Sequence, residues 1–413
     1  MKKTAVFLII CLLLSLCGCG SQNFFDAGGT ISNMESTPVI DYTVPEQTPN
    51  ILVNRRGYPS VGKKEAAVKG KKLPQEFRLI NADTKEVAYR GWIDKITYDQ
   101  EQGIYVGYAS FEEYQTEGTY YLECDYVGRS YSFVLEADFY QNLFMELYGE
   151  ILEDCEKNKA TVKDVTALLC AYEWRSGLFE DENKNKIPDV METLSKWIDK
   201  IDYAQIDVAE GAEYAAFLAK FSYLYQNYDR AYATECLQRA SAVFTKIQNT
   251  MKKDADAFFA LTELYRATGL NTYGNQILEY KSYFQNQNSI PEESGYLYGI
   301  MTYMLTRQAV DKEFCGLLMD QLLAKGEEIG EVYDELLQPV NARNNGAEEI
   351  LRTVVELSCA NYVLKSYQND LIIEEFADYL MGRNQQSVSF YPEQGARAEY
   401  FIILANLASL TAA

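Results

Sequence analysis

The sequence predicts two folded domains, an antiparallel β-sandwich followed by an all-α domain of paired helices. Between residues 50 and 136, short alternating apolar runs are separated by turn sequences, which is typical of an immunoglobulin-like sandwich. From residue 137 to residue 413 the apolar period becomes that of amphipathic helices with short connectors. Repeated helical hairpins of this kind form either a solenoid or a closed α/α toroid.

Six segments of the first domain are predicted as strands, because each is short, apolar and bounded by turn residues such as Glu117-Gly118. They are Ile51–Val53, Glu65–Val68, Phe77–Ile80, Gly103–Tyr108, Thr119–Cys124 and Ser130–Leu135.

About twelve segments of the second domain are predicted as helices, and twelve helices would close into six pairs. A weak repeat supports the pairing, since Leu224–Asp229, Leu264–Gly269 and Leu364–Asn369 each end one helix and lead into the next. The predicted helices are 137–156, 163–177, 188–201, 209–227, 230–249, 254–268, 271–284, 294–307, 311–326, 345–367, 370–382 and 396–411.

Residues 1–18 have the pattern of a lipoprotein signal peptide. Two lysines precede the apolar run Ala5–Leu16, which is too short to span a bilayer comfortably. A small residue before Cys19 fits a lipoprotein signal peptidase site, so we expect a lipid on Cys19; an ordinary secretory signal cut elsewhere is the alternative. Residues 19–49 are rich in Gly, Ser, Thr, Asn and Pro, which predicts a flexible tether. The sequence thus predicts an extracytoplasmic, lipid-anchored protein.

The amino-acid composition excludes several classes of function. The net charge of −22, or −24 without Lys2 and Lys3, would repel nucleic acid. The chain has no histidine, which excludes Ser-His-Asp and Cys-His catalysis and histidine-ligated metals. We expect no cofactor and no metal, and buried free thiols rather than disulfides because the remaining cysteines lie far apart in apolar runs. These cysteines are Cys124, Cys155, Cys170, Cys236, Cys315 and Cys359.

Five segments together resemble glycoside hydrolase family 9 enzymes that carry an N-terminal immunoglobulin-like domain. Ile51–Tyr58 is similar to the family's ILVNQVGY, Leu168–Glu173 to LLLAYE, and Lys186–Glu192 to GIPDILDE. Ala260–Gly269 is similar to AAAELYRATG, and Tyr379–Asn384 to YLLGRN. The order of these segments is that of the family, and the resemblance covers nearly all of the chain from residue 50 onwards. It implies that the helices form an (α/α)6 barrel.

The family resemblance also implies a chemistry, from which this sequence departs. Family 9 enzymes invert β-1,4-glucan linkages with an Asp-Ala-Gly-Asp loop that activates water and a late Glu that acts as general acid. The sequence Asp-Ala-Gly-Asp is absent from this chain, and the loop position between the first two helices holds only a connector of five or six residues. Glu150, Glu153 and Asp154 lie nearby, but their spacing fits an exposed helix end better than a water-binding loop.

Glu399 matches the family's general acid by position, because Ala398-Glu399 resembles the Asn-Glu that opens the last helix of the family. A Glu in the first turn of a helix also interacts favourably with the helix dipole and needs no other explanation. The substrate segment that bears a histidine in the family is short here, at Ser387–Gly395, and has no histidine.

Two further features are open to more than one interpretation. Asp181–Lys186 alternates Asp and Asn, a pattern that can bind calcium, but its two lysines favour a solvated turn before Pro188. Trp174, Tyr391 and other tyrosines at helix ends could form a sugar-stacking surface or simply belong to the core.

Three functions remain compatible with the sequence. The missing water-activating motif favours a non-catalytic homologue that binds β-glucan, another polysaccharide or a protein partner. The second is an active glycoside hydrolase on β-glucan that uses Glu399 as general acid with a relocated base. The third is a structural or assembly lipoprotein without a sugar ligand.

Overall fold

The computed structural model describes residues 48–336, 347–366, 368–391 and 396–411. These described residues form one compact unit. The predicted signal peptide 1–18, Cys19 and the tether up to residue 47 lie outside the described residues. Among the helices of the described ranges, none has both the length and the apolar character that crossing a membrane requires.

The first domain is a β-sandwich whose two sheets share one long strand, β5. The N-terminal half of β5 pairs with β4, its C-terminal half pairs with β6, and the register shifts between Asp94 and Thr97. The sheet order is β1-β3-β6-β5-β4-β7-β9-β2, with β8 beside β7; only the β2–β9 pair of this path is parallel. The strands are β1 Ile51–Leu52, β2 Gly57–Pro59, β3 Glu65–Gly70, β4 Glu76–Asn81, β5 Val87–Asp99, β6 Ile104–Ser110, β7 Gly118–Cys124, β8 Gly128–Arg129 and β9 Phe133–Glu136.

Thirteen α-helices follow in the described part of the chain. They match the predicted segments except that the segment 271–284 is divided in two. The helices are α1 Phe139–Glu156, α2 Val162–Trp174, α3 Asp189–Ile198, α4 Gly211–Tyr225, α5 Arg230–Ile247, α6 Ala255–Thr268, α7 Asn271–Leu278, α8 Lys281–Phe284, α9 Ser294–Leu305, α10 Lys312–Leu336, α11 Ala347–Leu364, α12 Asp370–Leu380 and α13 Arg397–Thr411.

Six of these helices form a closed inner ring. Helix α2 contacts α4, α4 contacts α6, and the series continues through α9, α11 and α13 back to α2. The inner helices are apolar on most sides and bury most of their side chains, whereas outer helices such as α5 bury one face. The short pair α7 and α8 together occupies one outer position. The predicted (α/α)6 barrel is therefore confirmed, and the toroid, rather than the solenoid, is the correct alternative.

The sandwich and the barrel share a polar contact that is almost fully buried. The side-chain amide of Asn54 donates a hydrogen bond of 2.8 Å to Asp378, and the backbone amide of Arg55 donates one of 2.9 Å to the carbonyl of Met381. Arg383, only 2% exposed, forms an ion pair with Glu375 and also faces strand β3. Burial and the nearby Glu374 raise the pKa of Asp378 well above its ordinary value.

A cluster of four charged side chains lies inside the barrel at the C-terminal ends of the inner helices. Glu173 on α2 pairs with Lys220 on α4 and with Arg266 on α6. Glu263 lies 3.3 Å from Lys220 and 2.6 Å from Arg266, and it accepts a hydrogen bond of 2.7 Å from Thr302. The two carboxylates balance the two cations, so the inner helices are joined by a neutral buried network.

The six cysteines predicted as free thiols are unpaired in the described structure, and all except the partly exposed Cys315 are buried. The alternative of a disulfide framework among them is therefore not realised. Burial raises the pKa of Cys155 and Cys170 to about 12, which keeps these thiols protonated at neutral pH.

Candidate functional site

The first turns of the inner helices converge on one mouth of the barrel. Three adjoining cavities open there, with volumes of about 310, 30 and 640 Å³. Glu399, in the first turn of α13, lines all three. The residue that the sequence singled out as a general acid therefore lies in an open cleft rather than on a closed surface.

Glu399 is half-buried. This burial raises the pKa of its carboxyl above the ordinary value, and the charge of Asp164 adds to the effect. Its own backbone amide and Lys163 act in the opposite direction but do not reverse the shift. A carboxyl with a raised pKa holds a proton more readily, which is the state that a general acid requires.

Two further carboxylates face the smallest cavity beside Glu399. Glu213 lies in the first turn of α4 and Asp256 in the first turn of α6. Burial raises the pKa of both, and repulsion between Glu213 and Asp256 adds to the shift of Glu213. Lys163 lies 3.9 Å from Glu213, but its side chain is 69% exposed, so this ion pair is weak.

Arg397 occupies the position beside the short connector between α1 and α2. It donates hydrogen bonds of 3.0 and 2.7 Å to the two carboxylate oxygens of Asp164 and one of 2.6 Å to Asp154. Asp164 also accepts hydrogen bonds from Thr161 in a capping box that begins α2. Burial alone would raise the pKa of Asp164, but these hydrogen bonds outweigh it and lower the pKa.

Of the three acidic residues considered near this connector, only Asp154 faces the cavities. It is held by Arg397, whereas Glu153 pairs with Lys157 on the exposed surface of α1 and Glu150 is exposed on the same helix. The structure therefore brings Asp154 near Glu399 but engages it in an ion pair.

Arg352 on α11 lines the mouth together with two acidic neighbours. This guanidinium lies 3.4 Å from Glu292 and 3.9 Å from Glu356 and lines the cavity of about 310 Å³. Tyr298 lines the same cavity and the small one.

The two aromatic side chains named as candidate sugar platforms, Trp174 and Tyr391, are not among the residues that line these three cavities. Tyr391 is buried, with its ring edge-on to Tyr400 and the guanidinium of Arg56 over its face. Trp174 lies at the opposite end of α2, near Tyr362.

The segment Asp181–Lys186 forms a turn before α3. The Asp181 carboxylate accepts hydrogen bonds from the backbone amides of Asn185 and Lys186 at 3.1 and 2.7 Å. Within the described ranges, groups of three or more carboxylates or thiols arranged to hold a metal ion are absent.

Sequence reasoning missed Lys163, Glu213, Asp256, Tyr298 and Arg397. All except Tyr298 lie in the first turn of an inner helix, where acidic residues such as Glu213 and Asp256 are common for electrostatic reasons alone. The alternation of inner and outer helices could have identified these residues from the sequence. Every second helix of a closed α/α toroid contributes its first turn to the same mouth.

Comparisons with known proteins agree with this architecture. The profile of the cellulase N-terminal ig-like domain matches residues 46–129, and that of glycosyl hydrolase family 9 matches residues 172–400. A search of curated protein sequences gave no match.

Several solved structures have the same fold. A metagenome-derived family 9 endoglucanase has a TM-score of 0.65 at 16% identity, over 83% of this chain and 85% of that chain. A single mutant of the thermostable endoglucanase from Alicyclobacillus acidocaldarius has a TM-score of 0.62 at 16% identity, over 83% of each chain. The enzyme AaCel9A, in complex with cellobiose-like isofagomine, has a TM-score of 0.60 at 15% identity, over 83% of this chain and 84% of that chain.

At these identities the structural likeness shows the shared fold. The family 9 profile, in contrast, spans more than half of the sequence in a single match. The chain therefore belongs to glycoside hydrolase family 9.

Proposed function

We propose that this chain is an extracytoplasmic lipoprotein, anchored by a lipid on Cys19, whose barrel mouth binds glycan without hydrolysing it. The mouth is an open cleft lined by carboxylates, hydroxyls and tyrosine rings, which are groups that bind sugar hydroxyls and faces. AaCel9A, a similar structure, holds a cellobiose-like isofagomine. A β-glucan or a related polysaccharide is the corresponding class of ligand for this chain.

The surroundings of the carboxyls at the mouth support the non-catalytic part of this proposal. Inverting hydrolysis needs one protonated carboxyl and one ionised carboxylate that is free to activate water. Burial raises the pKa of Glu399, Glu213 and Asp256 alike, so none of the three has the lowered pKa that would mark it as the ionised partner of an acid. Asp164 has a lowered pKa, but Arg397 occupies both of its oxygens.

A specific observation supports a second candidate, an active glycoside hydrolase. Glu399 shares the smallest cavity with Glu213 and Asp256, so a relocated base would lie in the same cleft as the acid. The third candidate, a structural lipoprotein with a protein partner, predicts an apolar surface in place of the polar cleft, and the cleft makes it the weakest of the three.

The decisive experiment measures binding and turnover on the same oligosaccharides. Cello-oligosaccharides are titrated into the purified mature chain by calorimetry, and release of reducing sugar is followed over hours. We expect saturable binding without release, and about tenfold weaker binding for Glu399→Gln because a hydrogen bond to a charged group is lost. Glu150→Gln, which removes an exposed carboxylate outside the cleft, serves as the matched control and should bind like the parent.

The possible outcomes separate the three candidates. Sugar release that disappears in Glu399→Gln would establish the hydrolase instead. Failure to bind any oligosaccharide of a broad glycan array would refute sugar binding and leave the structural lipoprotein.

A further inference from the structure

The smallest cavity of the mouth carries an excess of negative charge. Glu213, Asp256 and Glu399 face it, and Lys163 is the single cation among its described lining residues. The Lys163 ammonium is only loosely held, at 3.9 Å from Glu213 on a side chain that is 69% exposed. Because this lysine can swing into solvent, a cation supplied by a ligand can take its place between the carboxylates.

Two hydroxyl groups in the same cavity lack a hydrogen-bond partner within the described residues. Tyr298 and Thr166 are each only 7% exposed, and both line this cavity. The Tyr298 hydroxyl lies close enough to Glu399 for the two groups to interact electrostatically. Since both residues are largely buried and line the cavity, a polar ligand in it can complete their hydrogen bonds.

The two observations together specify the chemistry of the ligand. Three carboxylates around a displaceable ammonium favour a cation, and two open hydroxyls favour neighbouring sugar hydroxyl or ring oxygen atoms. We infer that this cavity binds the protonated amino group of an unacetylated amino sugar within a glycan. This inference rests on the proposed glycan-binding function and names the class of glycan. A neutral glucan would leave the carboxylates of this cavity without a cation from the ligand.

The experiment compares three oligosaccharides of equal length on the purified mature chain by calorimetry at low ionic strength. These are β-1,4-linked oligomers of glucosamine, N-acetylglucosamine and glucose, measured at a pH at which the free amine is protonated. The glucosamine oligomer should bind at least tenfold tighter than the other two, and its affinity should fall as salt is added. Trilysine is included as a cation without sugar and should bind at least tenfold more weakly.

Variants distinguish the charged contact from the hydroxyl contacts. Glu213→Gln and Asp256→Asn should each reduce the preference for the glucosamine oligomer about tenfold, with little effect on the glucose oligomer. Tyr298→Phe should weaken all three oligomers by a similar factor of a few. Glu150→Gln, which removes a charge from the exposed surface of α1, should leave the preference unchanged.

Each outcome bears on a different claim. Equal or tighter binding of the glucose oligomer would overturn the amino-sugar inference and leave the glycan-binding function standing. Equal binding of trilysine would also overturn it, because the site would then recognise charge alone. Absence of binding by all three oligomers would overturn the inference and count against the proposed function as well.

Discussion

Replacement of Glu173 by glutamine tests whether the buried charge cluster stabilises the barrel. Glu173 binds both Lys220 and Arg266, so the variant leaves two buried cations with one carboxylate, Glu263. Loss of one partner from a buried ion pair typically costs about 3–5 kcal/mol. Burial alone would raise the pKa of Glu173, but the two cations lower it from its ordinary value of 4.5 to about 2. That difference corresponds to about 3 kcal/mol of stability, in agreement with the first figure.

The assay is thermal and urea unfolding followed by circular dichroism. For a cooperative unit of about 370 residues, a loss of about 3 kcal/mol lowers Tm by about 4 °C. Glu153→Gln, which removes an exposed partner of Lys157 on α1, is the matched control and should cost less than about 0.5 kcal/mol. The double variant Glu173→Gln/Lys220→Met restores neutrality and should recover most of the lost stability.

The pH dependence of the stability difference between parent and Glu173→Gln gives the result that would refute this reasoning. A carboxyl whose pKa is lower in the folded state contributes stability above its unfolded value and loses it as pH falls towards the folded value. The difference between parent and Glu173→Gln should therefore be complete at pH 6–8 and shrink below about pH 4.5. A difference that is no larger than that of Glu153→Gln, or that grows as the pH falls, would show that the cluster does not act as a balanced buried network.

Two further predictions concern the sandwich and its contact with the barrel. Asp378 has a raised pKa, so its ionisation destabilises the fold as pH rises. Asp378→Asn should therefore stabilise the protein by about 1 kcal/mol at pH 7 and by nothing near pH 3, as measured by urea unfolding at both pH values. A variant that is destabilised at pH 7 would contradict this. Gly57 has φ +139°, and an added Cβ would lie 2.6 Å from the carbonyl oxygen of Val134, so Gly57→Ala should cost about 3 kcal/mol by the same assay. Gly128 has φ +115° but open space around it, so Gly128→Ala should cost only about 1 kcal/mol. Equal losses for the two variants would disprove the clash.

The sequence predicts most of the barrel because its inner helices are long apolar segments with clear ends. Gly269, at φ +69°, ends α6 where the sequence predicts it. The break between α7 and α8 carries no such signal. It lies next to Tyr280, whose hydroxyl donates a hydrogen bond of 3.3 Å to the carbonyl of Asp254, and that tertiary contact is not visible in the local sequence.

The strand β5 is the main element that the sequence does not predict. Only Gly91 and Ile93 of its thirteen residues are buried, so it lacks the apolar alternation by which strands are recognised. Its pairing partners β4 and β6 determine its conformation, since backbone hydrogen bonds to both neighbours hold it in place. Its length makes it the link between the two sheets.

The candidate site was predictable only at Glu399, through the family resemblance. Glu213, Asp256 and Arg397 lie far apart in the sequence, and the two carboxylates also have a local explanation, because acidic residues are favourable in the first turn of a helix. Closure of the ring brings these side chains to one mouth. A side chain's neighbours across a barrel depend on that closure, so a single sequence without a fold does not identify them.

The contact around Arg383 determines whether the sandwich and the barrel can be produced as separate fragments. A fragment that begins at the first helix would expose Asp378, which would lose its bond from Asn54, and Arg383, which would lose the carbonyl of Glu65. Water would replace these partners in the fragment, so the helical part should lose the stabilisation of the shared interface when it is expressed alone. The coding regions for the sandwich and the barrel should therefore be inherited together. Recombination that separated them would produce fragments that each carry an unpaired half of one polar interface.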